Sequence, residues 1–200
     1  MSTIVIVVLI AVLALAALAV AVRFALRGSA TGGRGLRRRF GPEYERAVVL
    51  HDGDRRAAER ELAERLKRHG SLTERPLPPE VREHYLVRWA GIQEQFVDSP
   101  RGAAEAADKL VARLAEERGF PAAKAYEDQL AALSVHHAGQ LDGYRRVHRA
   151  ARGTGDTEEI REAVIEARTL FEELLTAGPR HAQPTRRPAL PRRHAKGSAV

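Results

Sequence analysis

The chain opens on an unbroken apolar run and then changes to a mixed pattern of period three to four. From Ile4 to Val22 nineteen consecutive residues are Ile, Val, Leu or Ala, and Phe24-Ala25-Leu26 extends the run past Arg23. At 1.5 Å per residue the run reaches about 28 Å, close to the roughly 30 Å hydrocarbon thickness of a bilayer. Residues 1–27 are therefore expected to form one transmembrane anchor. The competing reading, a cleaved signal peptide ending near Ala19-Val20-Ala21, would place the rest outside the cell as a secreted or envelope-exposed domain. It lacks a charged n-region, and the run is longer than such peptides carry. Ala17, Ala21 and Ala25 form a row of small side chains of the kind that lets transmembrane helices approach, though alanine-rich runs produce such rows by chance.

Beyond residues 28–36, which the Gly, Ser, Thr and Arg content marks as a flexible basic linker, helical periodicity dominates. A helix is predicted from Pro42 to about Arg68, with a break at His51-Asp52-Gly53-Asp54 and an end at Gly70. Its second half is crowded with Arg and Glu, and only Leu62 and Leu66 are large and apolar. After the prolines at 76, 78 and 79, Val81, Tyr85, Leu86, Trp89, Ile92 and Phe96 make one apolar stripe, which predicts the core helix with Trp89 as a buried anchor. Ser99-Pro100 reads as an N-cap and first-turn proline for a helix with Ala103, Ala106, Ala107, Leu110, Val111 and Leu114 inward, closed by Gly119. Shorter helices are expected over about 122–133 and 139–151. The last opens on Asp156 and Glu159, spaced as a capping box, and points Ile160, Val164, Ala167, Phe171 and Leu174 inward. No alternating β-branched strand is visible. The expected fold is all-α: an N-terminal transmembrane helix plus an irregular bundle of five or six helices over residues 37–176, followed by a disordered basic tail, 177–200.

Charge follows the same divisions. The net charge of +7 comes from the flanks: residues 23–39 and the tail are basic without a single acid, leaving 21 basic and 26 acidic residues between them. That balance argues against nucleic acid as a partner of the domain. Six arginines follow the apolar run within seventeen residues and none precedes it, so the positive-inside rule places the domain on the cytoplasmic side of the cell membrane, single-pass. The same arginines could contact anionic lipid. The absence of cysteine excludes disulfides and thiol chemistry.

Candidate chemistry is sparse. His136-His137 and His148 lack the i,i+4 or clustered spacing of a zinc site, so no metal is assigned and no cofactor. His148 is expected to be half-buried and hydrogen-bonded to a neighbour. Asp52-Gly53-Asp54 is a fragment of a calcium loop without its later ligands and reads as a turn. Asp98-Ser99 belongs to no nucleophile elbow, and Ser99 serves as a cap. Pro188-Ala189-Leu190-Pro191 has the PxxP form, which is cheap in such a tail. No catalytic, cofactor-binding or metal residues are assigned.

The segments Phe40-Gly41-Pro42-Glu43-Tyr44-Glu45-Arg46, Trp89 with Ile92-Gln93 and Gln95-Phe96-Val97-Asp98-Ser99-Pro100, and Leu133-Ser134-Val135 with His137 and Tyr144 resemble a bacterial, actinobacterial-type family of membrane-anchored proteins described as hypothetical or secreted. The resemblance covers roughly residues 4–176. The chain departs from the family's pattern at His136, where the family has an acidic residue, and at Ala138, where it has proline. The resemblance implies the anchor and the architecture and brings no activity. The functional expectation is a non-enzymatic, membrane-tethered helical module that binds a protein partner, with anionic lipid or nucleic-acid contact through linker and tail as the alternative.

Overall fold

The computed structural model describes residues 32–153 and 155–176. The expected span at 4–22 and the tail from 177 lie outside the described residues. No helix among the described residues is long and apolar enough to cross a membrane.

The described chain is helical throughout. Eight helices follow one another: α1 Gly33–Phe40, α2 Pro42–Leu50, α3 Arg55–His69, α4 Pro79–Asp98, α5 Pro100–Glu117, α6 Tyr126–His136, α7 Leu141–Ala151 and α8 Thr157–Thr176. Five or six helices were expected, and the excess has two sources. The break at His51–Asp54 is complete, so α2 and α3 are separate helices. In addition, α1 occupies part of the segment expected to be flexible linker, because Leu36 and Phe40, one turn apart, are both buried against Tyr44, Ala47, Ala58 and Leu62. Burying those two side chains offsets the backbone cost that the glycines on either side impose. Including the four arginines of α1 brings the folded part, residues 32–176, to within one charge of neutrality, where a mildly acidic domain was expected.

The caps are where the residue types place them. Asp54 accepts hydrogen bonds from the backbone N–H groups of Arg56 and Ala57 at 2.9 and 3.1 Å, opening α3. The Ser99 hydroxyl accepts from Gly102 N–H at 3.2 Å, opening α5. Asp156 and Glu159 cap each other's N–H groups at 2.9 and 3.2 Å, the reciprocal box at the start of α8. Between α1 and α2 the corner is turned by Gly41 at φ +48° and ψ −121°, a conformation closed to other residues.

Packing divides the molecule into two apolar clusters. In the larger one α5 is central: α4, α7 and α8 all lie against it, and α7 and α8 form a tight pair. Trp89 is 3% exposed and stacks on Phe171 of α8, with ring centroids 4.4 Å apart. Tyr85 and Ile92 share that face. Leu86, expected in the same stripe, is 49% exposed. It lies about 100° around the helix from Tyr85, beyond the arc that Tyr85, Trp89 and Ile92 define at intervals of four and three residues. The smaller cluster joins α1, α2 and α3 to Val135 of α6. α6 thus bridges the two.

One buried polar pair ties the clusters together, and a second polar device holds a loop in place. Glu43 of α2 and Arg145 of α7 are both buried and form a bidentate pair 102 positions apart in sequence. Separately, the irregular segment 72–78 is pinned across the bundle. Arg118, 1% exposed, donates to the Arg75 carbonyl and to Glu74 Oε2 at 2.6 Å, while Arg75 N–H donates to the Arg118 carbonyl at 2.9 Å. Buried His137 lies beside the same carboxylate, Nε2 3.1 Å from Glu74 Oε1, with Nδ1 2.8 Å from Glu173 Oε2.

Burial alone would raise the Glu74 carboxyl, but hydrogen bonds from His137 and Arg118 and their charge hold it down to about 2. A depressed carboxylate stabilises the fold above its unfolded value, near 4.5, and that stability is lost as pH falls from there towards about 2. Glu74→Gln is accordingly expected to flatten the dependence of the urea midpoint on pH across this window, read by Trp89 emission. An unchanged slope would mean that Glu74 is not the group that pins the segment.

Candidate functional site: an arginine-lined groove beside a Tyr–His stack

The most elaborated surface lies where the start of α6 meets α7. Its foundation is Gln129, fully buried one turn into α6. The Gln129 side-chain amide donates to the carbonyls of Ala112 and Pro121 at 3.0 and 2.8 Å, and its oxygen accepts from the Tyr144 hydroxyl at 3.1 Å. One side chain thus fixes α6 against both α5 and α7. The buried amide thereby finds partners for both its donor and its acceptor side, as a polar group removed from water requires.

With α6 held, Tyr126 comes to rest against His148 of α7, rings 3.4 Å apart and within 3° of parallel. His148 Nδ1 lies 2.9 Å from Asp108 Oδ1 of α5, and its Nε2 accepts from the guanidinium of Arg152, one turn further along α7. The ring thus faces an acceptor at Nδ1 and an obligate donor at Nε2, contacts that the tautomer with its hydrogen on Nδ1 satisfies together. Arg152 also lies over the Tyr126 ring, 5.9 Å from its centroid, within cation–π range. Burial pushes the Tyr126 phenol up to about 12. An Asp–His pair suggests general-base chemistry, but here the second ring nitrogen already takes the Arg152 proton donor. The stack orients Arg152 and Tyr126 at the surface, and no catalytic role is assigned to it.

The surface so built is a groove of about 870 Å³. One wall is α7, with Arg145, Arg149 and Arg152; the other is the end of α2 and the middle of α3, with Arg46, Leu50 and Arg65. Lys124, Tyr126 and Leu130 form its base, and Glu127 and Asp128 are its two acids. Two of the cations are held internally, Arg145 by Glu43 and Arg65 by Glu61. Asp128 is turned towards Arg68 and His69 at 3.9 and 3.3 Å. Arg46, Lys124, Arg149 and Arg152 project from exposed positions. Leu50, 62% exposed, and Val49 form an apolar lip beside them.

Of the residues singled out in the sequence, His148 is half-buried and hydrogen-bonded as expected, with Asp108 as its partner. His136 and His137 part company: His136 Nε2 meets the His69 carbonyl at 2.9 Å, and burial holds its ring below the ordinary imidazole value. Among the described residues no three His, Asp or Glu side chains converge as metal ligands would. Asp52 and Asp54 form the turn and cap before α3. The groove itself was not legible in the sequence, since its cations come from α2, α3, the residues just before α6, and α7 with its C-cap. Only the i,i+3 and i,i+4 spacing of Arg145, Arg149 and Arg152 on one helix hints at it. Compared with known proteins, the chain matches no family model, no curated protein and no solved structure.

Proposed function

We propose that this chain is a membrane-tethered helical interaction module, non-enzymatic, whose groove between α7 and the α2–α3 edge takes an acidic segment of a partner protein. The observation that supports it is the groove's charge: with Arg145 and Arg65 paired to Glu43 and Glu61, four exposed cations stand against two carboxylates, on a domain whose described part is as a whole close to neutral. Cationic rims raise association rates and select acidic partners, and the Leu50–Val49 lip offers apolar area beside them. The tether follows from the apolar run at 4–22, and the arginines after it favour the cytoplasmic side of the cell membrane. The same architecture is what the family resemblance implies.

The groove is tested with fluorescent peptides of alternating Glu and Leu, binding to the detergent-solubilised full chain being read by anisotropy. Reversing Arg46, Lys124 and Arg149 to Glu is expected to weaken binding roughly tenfold or more, mostly through the association rate, with the Trp89 spectrum unchanged. Equal binding of acidic and basic peptides by the natural chain would refute the acidic-partner reading. Topology is tested separately, by reporters fused after residue 176: activity confined to the external side would reverse the assigned orientation.

A further inference from the structure

The position of α1 changes what the tether can do. Between Leu26, where the apolar run ends, and Gly33, where α1 begins, only residues 27–32 intervene. Seven residue steps, fully extended, cover at most roughly 25 Å. α1 itself does not lengthen this leash, because Leu36 and Phe40 are locked into the smaller core. Its remaining side chains are Arg34, Arg37, Arg38 and Arg39, all exposed, with no acid on the helix. The nearest carboxylates are Glu45, paired with Arg37 across 2.9 Å at the surface, and Glu59, which accepts from the Tyr44 hydroxyl at 2.9 Å. Three arginines thus share a surface patch, Arg34, Arg37 and Arg38, on a rigid body that cannot leave the neighbourhood of the bilayer.

We infer that the outward face of α1 docks on the anionic headgroups of the leaflet from which the chain emerges, fixing the orientation of the whole domain. The inference rests on the tethered reading. A short tether holds the patch at a high effective concentration against the lipid, so weak contacts suffice. Basic side chains are attracted to anionic headgroups within a Debye length, about 8 Å at physiological salt. The orientation has a consequence for the groove. α1 packs at the Val135 end of α6, whereas the groove is lined by Tyr126 and Leu130 near the other end. Eleven residues of helix separate those ends by roughly 15 Å, so docking through α1 would leave the Tyr126 end of the groove about that far from the end of α6 that α1 packs against.

The natural chain contains no cysteine, so single introduced thiols report cleanly. The full chain is labelled at Arg39→Cys, the remaining exposed arginine position of α1, or at Ile165→Cys, an exposed site on α8, and reconstituted into vesicles carrying a headgroup-attached quencher. Replacing a third of the phosphatidylcholine with phosphatidylserine is expected to raise quenching at position 39 at least twofold and to leave position 165 unchanged. Adding Arg34→Glu, Arg37→Glu and Arg38→Glu should return position 39 to its value in neutral vesicles, as should half-molar salt. Quenching at 39 that ignores lipid charge, or survives the triple reversal, overturns the docking. Flotation with pure phosphatidylcholine vesicles tests the span independently: a chain that floats but shows no charge dependence loses only the docking, and one that does not float loses the tether and the docking with it.

Discussion

Gly143→Ala is expected to destabilise the fold by about 1–2 kcal/mol, opposite in sign to the same change on an open helix face. A Cβ at Gly143 would lie 2.4 Å from the Glu166 carbonyl carbon and 2.6 Å from Ala167 N, so α7 and α8 would have to separate. Overpacking of this kind typically costs about 1–3 kcal/mol, and here the obstacle is backbone, which cannot rotate aside. The gain of roughly 1 kcal/mol that alanine normally brings to a helix interior offsets only part of it. Gly91 provides the control, since a Cβ there meets nothing within 4 Å. Gly91→Ala should therefore stabilise by about 0.5–1 kcal/mol. Urea unfolding of both variants, followed by Trp89 emission, decides the matter. Equal effects at the two sites would mean that α7 and α8 do not approach as closely as described.

Glu43→Ala is expected to cost about 3–5 kcal/mol, because it leaves Arg145 buried with its strongest partner gone. Glu43 is 2% exposed and makes both contacts of the bidentate pair with Arg145. Among the described residues Asp142, 3.5 Å from Arg145, is the other carboxylate paired with it, and it is itself exposed. Removing both charges at once is the informative comparison. Glu43→Leu combined with Arg145→Met should recover most of the loss, since a desolvated pair repays little more than its own burial cost. A double variant as unstable as Glu43→Ala alone would show that the pair is needed for packing rather than for neutralisation.

Most helices from α2 onward were legible because their ends are written in local chemistry. Proline at the first turn of α2, α4 and α5, the Ser99 and Asp54 caps, and the Asp156–Glu159 box each act within four residues, a range at which sequence order and spatial order coincide. α1 was not legible for the same reason inverted. Its residues, four arginines and two glycines around Leu36 and Phe40, carry no local signal that outweighs a linker composition, and only contact with Tyr44, Ala58 and Leu62 makes them a helix. The polar devices were hidden too. Glu43 with Arg145, Glu74 with Arg118 and Gln129 with Tyr144 pair residues from separate helices and loops, and each of these side chains taken alone resembles an ordinary surface residue. The groove belongs to this class: its cations converge only after α2, α3, α6 and α7 have packed.

The smaller cluster also sets how the molecule would respond to tension. Pulling on the chain from the side of residue 32 loads α1 first, and α1 is held chiefly by Leu36 and Phe40. The main bundle, clamped about α5, receives load only after that contact yields and the strain passes along α2 to the Glu43–Arg145 pair. A short helix of this kind peels one turn at a time, in the manner of a zipper, and each turn released adds slack. The stack of Trp89 on Phe171 belongs to the larger cluster, to which α1 contributes no side chain, so the first load falls on a contact separate from it.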